Sequence, residues 1–168
     1  MWDVRAGGKP IRSFDKGHTH VVTCVVASTN GGLVLSGSLD GSVIEWDVGS
    51  GRVLGAPFIL SSGANVANTK KDLPSSPITS MALAEDAEAP VLYTAAKASR
   101  GSTSGVVREW NLHRRVQTRV FNVEAEVPWG VCVARGLLFV ACNDSCTRMW
   151  STRGSSRMCD VPGACTVS

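Results

Sequence analysis

The sequence is poor in the features that would place it in a membrane or on a polyanion. No apolar run approaches the roughly 20 residues that a spanning helix requires. The opening residues Met1-Trp2-Asp3-Val4-Arg5 lack the apolar core of a secretory signal, so a cytoplasmic or nuclear location is expected. Charge is nearly balanced, 17 basic residues against 14 acidic ones for a net +3, which argues against a nucleic-acid binder. Six cysteines in 168 residues make no disulfide framework. Cys24 and Cys132 lie inside apolar runs, where a thiol acts as a small hydrophobe. Disorder is excluded by the balance of 43% apolar against 18% charged residues, and the length suffices to bury a core.

What the sequence does contain is a repeat. Trp2, Trp46, Trp110 and Trp150 each end a short alternating run, at separations of 44, 64 and 40 residues. Phe14, Phe58 and Phe121 follow the first three at 12, 12 and 11 residues. With an insertion in the long interval, the period is a little over 40, the length of one small β unit.

Residues 1–14 read as the end of one unit, with 11–14 a short outer strand. Met1 then falls inside a strand position, and the chain is expected to be part of a longer one. Residues 17–58 form the clearest unit. Strands are expected at 21–27 (buried), 33–38, 42–46 and 52–58, with Leu39-Asp40-Gly41 as the hairpin turn. The last strand, holding Gly55 and Pro57, belongs at an edge. Residues 59–76 are a polar insertion, longer than most connections. The pattern returns in 77–121, with strands at 78–84, 90–96, 106–110 and 116–121 and a turn swollen to 97–105. It returns once more in 127–161, with strands at 127–134, 137–141, 146–150 and 157–161, leaving 162–168 as a tail.

Gly17-His18, Ser36, Asp40 and Trp46-Asp47, at this spacing, resemble the WD-repeat family of β-propellers. The resemblance implies an all-β fold: three four-stranded antiparallel blades plus an orphan outer strand, forming an incomplete propeller. A ring of this family needs about six to eight blades, so further blades, or a second copy, would complete it. The resemblance also implies a hydrogen-bonded brace of His18, Ser36, Asp40 and Trp46 within one blade. In the second unit Leu73-Pro74 replaces Gly-His, Thr94 takes the serine position, and the turn has no aspartate. The third keeps Asp144 and Trp150 but has Val140 at the serine position and no histidine.

The set His18, Ser36 and Asp40 also has the residue types of a hydrolase triad, but no nucleophile elbow surrounds Ser36. Cys142 and Cys146, even with Cys159, Cys165 or His113, face each other across a hairpin rather than on a metal knuckle. No metal, cofactor or catalytic residue is expected. Asn143-Asp144-Ser145 fits a glycosylation sequon but reads as a turn. The resemblance instead implies a non-catalytic scaffold for protein or peptide partners, touched through His20, Leu39 and Asn143. The alternative is the targeting module of a larger enzyme, a kinase or ubiquitin ligase. Both long insertions emerge at one end of the same blade. They would carry Lys70, Lys71, Lys97 and Arg100 towards an acidic or phosphorylated partner, diluted by Asp72, Glu124 and Glu126.

Overall fold

Alternating apolar residues and turn chemistry produce three separate four-stranded antiparallel sheets, each ordered along the chain. The computed structural model describes residues 11–15, 17–59, 76–85, 89–97, 103–153 and 157–162, without the side chains of 58–59 and 157–162. Blade A contains β1 (Val22–Ala27), β2 (Leu33–Ser38), β3 (Ser42–Asp47) and β4 (Phe58–Ile59). Blade B contains β5 (Ile78–Ala84), β6 (Val91–Ala96), β7 (Val106–Asn111) and β8 (Val116–Asn122). Blade C contains β9 (Pro128–Ala134), β10 (Leu137–Cys142), β11 (Cys146–Ser151) and β12 (Arg157–Pro162). The first strands β1, β5 and β9 are neighbours in that order, so the blades form an arc, and no closed ring is present among the described residues.

The core lies between blades. Leu35 and Val43 of blade A meet Ile78, Met81, Leu92 and Trp110 of blade B. Tyr93, Val107 and Phe121 of blade B meet Leu138, Val140 and Trp150 of blade C. Leu35, Val43 and Ile78 are fully buried, each worth roughly 1.5–3 kcal/mol of transfer free energy. The inner strands are also stitched by a repeated hydroxyl. Each inner strand bulges, at Thr23, Thr79 and Trp129, where the ladder skips one residue. Thr23 Oγ1 donates to the Ile78 carbonyl at 2.7 Å, and Thr79 Oγ1 donates to that of Pro128. Trp129, the third bulge residue, is 64% exposed.

Four sequence expectations need correction. The strand placed at 52–58 is reduced to Phe58–Ile59 and a single bridge from Val53 to Trp46. The intervening chain bends at Gly55 (φ 73°), and the carbonyls of Leu54 and Ala56 accept from Arg115 of blade B instead of a ladder. The strand at 21–27 is not buried: Val21, Val22 and Val25 are more than half exposed, because nothing packs on that side of β1 among the described residues. Residues 11–14 form no strand, and Phe14 packs on Trp46 with ring centroids 5.4 Å apart. Cys132 is exposed, being on the face of blade C that points away from blade B.

Candidate functional site

The hairpin of blade A is a three-residue loop with Gly41 at φ 77°, the left-handed position that glycine suits. It fixes Asp40, whose Oδ1 accepts from the Ser42 amide at 2.9 Å and the Ser42 hydroxyl at 2.6 Å. Asp40 Oδ2 accepts from the Thr19 amide at 2.8 Å and lies 3.3 Å from His18 Nδ1. His18 Nε2 is 2.8 Å from Ser36 Oγ, which also accepts from Trp46 Nε1 at 2.8 Å. A carboxylate only accepts, so the imidazole proton sits on Nδ1 and Ser36 donates to Nε2. The segment bearing His18 approaches closely because Gly17 has no side chain; a Cβ there would meet Ile44 Cδ1 at 2.5 Å. Burial pushes the Asp40 carboxyl up, but the Ser42 hydroxyl and the Thr19 and Ser42 amides, with a smaller part from His18, outweigh it and hold the pKa down at about 2. The polarity is that of a triad, yet Ser36 is only 7% exposed and its oxygen is engaged by two neighbours.

Blades B and C hold their hairpins differently. Trp110 Nε1 donates to Thr94 Oγ1 at 3.0 Å, which reproduces one link of the brace. In blade C the turn aspartate is held by an arginine: Arg148 Nη1 donates to Asp144 Oδ1 at 3.0 Å, and Nη2 donates to Oδ2. Trp150 packs edge-on to Phe121 of blade B and has Val140 where the serine would stand. Ile44, Arg108 and Arg148 occupy one register position, opposite Ser36, Thr94 and Val140. Arg108 Nη1 is buried without a hydrogen-bond partner among the described residues.

The residues expected to meet a partner are distributed as follows. The amides of Leu39, Lys97 and Asn143 donate to the carbonyls of Val21, Pro77 and Val127, each at 3.0 Å. They are therefore equivalent positions, one per blade, at the same end of the arc. The sequence marks Leu39 and Asn143 by the aspartate that follows each; Lys97 has no such marker, and only the geometry shows its equivalence. Lys97 is paired with Glu126 at 3.3 Å, so its charge is partly answered within the protein. His20 is exposed near the same end. Lys70, Lys71 and Arg100 lie outside the described residues. Among the described residues no three His, Cys, Asp or Glu side chains come together as metal ligands would. No helix among them is long and apolar enough to cross a membrane.

At the opposite end the structure reveals residues that the sequence reading missed. Glu45 and Glu109 precede Trp46 and Trp110 and point to the other face, towards the next blade. Glu45 is met across the seam by Arg115 Nη2, from the β7–β8 turn of blade B. Burial raises the Glu45 carboxyl, and Arg115 opposes that. Glu109 is held within its own blade. It accepts from Thr118 Oγ1 at 2.6 Å, from Arg119 Nε at 3.0 Å and also Nη2, and from the hydroxyl of Tyr93 at 3.0 Å. Burial raises the Glu109 carboxyl, but these donors outweigh it and lower it, while burial and the carboxylate push the Tyr93 phenol up. Arg119 also donates to the Thr152 carbonyl of blade C. The signal in the sequence was the Glu-Trp pair, present twice. A cavity of about 510 Å³ opens beside this cluster in the B–C seam.

Antiparallel four-stranded sheets with neighbouring first strands and cores between the sheets define β-propeller blades. The family model of the WD domain, G-beta repeat, matches residues 8–47 of this chain. Among solved structures, one titled "Structure of U3-55K" superposes with a TM-score of 0.70 at 21% identity, covering 88% of this chain and 41% of its own. Another, "Crystal structure of RRP9 WD40 repeats", gives 0.68 at 22% identity, covering 88% of this chain and 40% of its own. At that identity the likeness is one of fold, and the chain spans about two fifths of the length of these structures. No curated protein matches the sequence.

Proposed function

We propose that the chain is a non-catalytic platform for protein or peptide partners, in the cytoplasm or nucleus, which meet it at the end carrying Leu39, Lys97 and Asn143. The observation that supports this reading is the equivalence of those three residues. Each follows the second strand of its blade and is anchored by its own amide, so the scaffold displays three different side chains, apolar, cationic and amide, in one array. His20 extends the array at blade A. Loops held by a rigid scaffold are where recognition concentrates. The basic residues of the two insertions, Lys70, Lys71 and Arg100, would join Lys97 in favouring an acidic or phosphorylated partner there. A photo-crosslinking amino acid at position 39, 97 or 143, compared with one at exposed Val116 or Val120 on β8, tests the reading in cells. The expected result is one shared protein crosslinked from the three array positions and not from β8. Crosslinks equally frequent from β8, or none from the array, would overturn it. Ser36→Ala serves as the test against hydrolysis: it is expected to lower the melting temperature while leaving crosslinking intact. A saturable esterase or peptidase activity abolished by Ser36→Ala would reverse the non-catalytic assignment.

A further inference from the structure

The two seams between blades are built from the same position yet finished differently. At the A–B seam the carboxylate of Glu45 receives a guanidinium from the following blade, and that arginine also takes the carbonyls of Leu54 and Ala56. At the B–C seam the carboxylate of Glu109 is already satisfied by Arg119, Thr118 and Tyr93 of its own blade. Among the described residues blade C adds no guanidinium to it. Instead Arg135 and Arg153 of blade C line the 510 Å³ cavity, together with Arg119, and face an apolar wall of Ala84, Val91 and Val133. Glu109 and Arg119 cancel as an ion pair, so the cavity carries the charge of the two remaining arginines.

Arg135 occupies an unusual place. With Gly136 it makes the two-residue turn between β9 and β10, at φ 51° and 75°, where asparagine, aspartate or glycine is ordinarily found. The turn therefore holds an arginine at the cavity where a smaller residue would fit the backbone better.

We propose that this cleft binds a phosphoryl group carried on a peptide, with an apolar residue of the same peptide against Ala84, Val91 and Val133. This rests on the reading of the chain as a protein-binding platform but assigns a second site, at the end opposite to the array. Two guanidinium forks match the several acceptor oxygens and double charge of a phosphate ester. The apolar wall and the near balance of charge elsewhere fit a peptide better than a nucleic-acid backbone, which requires an extended basic track. The cavity lies within the range of sites that enclose a small ligand group.

Fluorescence anisotropy with the 168-residue chain tests this, using a labelled hexapeptide bearing one phosphoserine beside leucine, its unphosphorylated and aspartate twins, and inorganic phosphate as competitor. The expected result is saturable binding of the phosphopeptide, roughly tenfold or more tighter than its unphosphorylated twin, as one charge-assisted contact provides. Arg135→Asn and Arg153→Gln should each weaken it by a similar factor. Asn suits the turn, so loss in Arg135→Asn with an unchanged or raised melting temperature would reflect the charge and not unfolding. Arg52→Gln, at an exposed residue of blade A that lines neither the cleft nor the array, should change nothing. Equal binding of phosphorylated and plain peptides, or indifference to both arginine variants, would overturn the proposal. So would tighter, arginine-dependent binding of a single-stranded oligonucleotide. Displacement by inorganic phosphate at the concentration at which the phosphopeptide itself binds would show a free-phosphate site and overturn the peptide assignment. Phosphopeptide binding lost only in Lys97→Ser would reject the cleft while leaving the platform reading intact.

Discussion

Single side chains in this protein are governed by whether burial is matched by a partner. Asp40 is matched: its carboxyl is held at about 2 against an ordinary 3.8. A depressed folded pKa means stability that is complete above the ordinary value and lost as pH falls through the folded one. Denaturation midpoints of the chain should therefore decline between about pH 4 and pH 2, and Asp40→Asn should be less stable at neutral pH but flatter over that window. An equally steep decline in the variant would show that Asp40 does not carry the effect. Arg108 is the opposite case. It is 7% exposed, its Nη1 lacks a partner among the described residues, and burial lowers its pKa. Blade A has Ile44 at that position, fully buried and apolar. Arg108→Met should raise the urea midpoint, by about 1–4 kcal/mol of stability, the range seen when buried charge gives way to well-packed apolar groups. A loss of stability would mean the guanidinium has an acceptor.

Between elements, the decisive contacts cross the seams. Arg115 joins the β7–β8 turn to Glu45 and to the bend that shortens β4. Its removal leaves Glu45, 9% exposed, without its counter-charge. Arg115→Ala should cost about 2 kcal/mol at pH 7, below the figure for a fully buried pair because the guanidinium is partly solvated. Burial already raises the Glu45 carboxyl above 4.5, and loss of Arg115 would raise it further. A raised folded pKa penalises the charged form, so the deficit is full near neutrality and shrinks as pH falls towards 4.5. Glu45→Gln in the Arg115→Ala background should recover part of the loss at pH 7. Urea titrations at pH 7 and pH 5 measure both; a pH-independent deficit without rescue would point to lost packing instead. The shortened β4 also shows why the sequence overstated that strand. The place of 52–58 in the repeat is a local pattern, whereas the competing donor Arg115 comes from another blade.

For the whole molecule, the arc leaves protection uneven. β6 is enclosed between neighbours, with Leu92, Tyr93 and Ala95 at most 2% exposed, whereas Val22 and Val25 of β1 are 51% and 64% exposed. Amide hydrogen exchange should be slowest in β6 and β7 and fastest among first strands in β1, since opening of an uncovered strand exposes little new apolar surface. Equal protection of β1 and β5 would show that β1 is covered in solution. The open face of blade C carries Cys132, Phe139 and Met149 in register, with Trp129 nearby, where the closed seams carry Thr23 and Thr79.

By itself the sequence determined the repeat, the hairpin turns and the residues of the blade A brace. These depend on period-two alternation, on residues that accept positive φ, and on chemistry confined to some 30 residues of chain. The Asp-Gly turn and the positions of Ser36 and Trp46 could be read directly for that reason. Tertiary structure alone decided the rest. It made Lys97 the counterpart of Leu39 and Asn143, substituted Arg148 for a histidine in holding Asp144, and left β1 open. It also turned two Glu-Trp pairs into different seams. The two seams depend on which blade supplies the arginine to a buried carboxylate, and side chains from separate repeats meet only once the blades have packed.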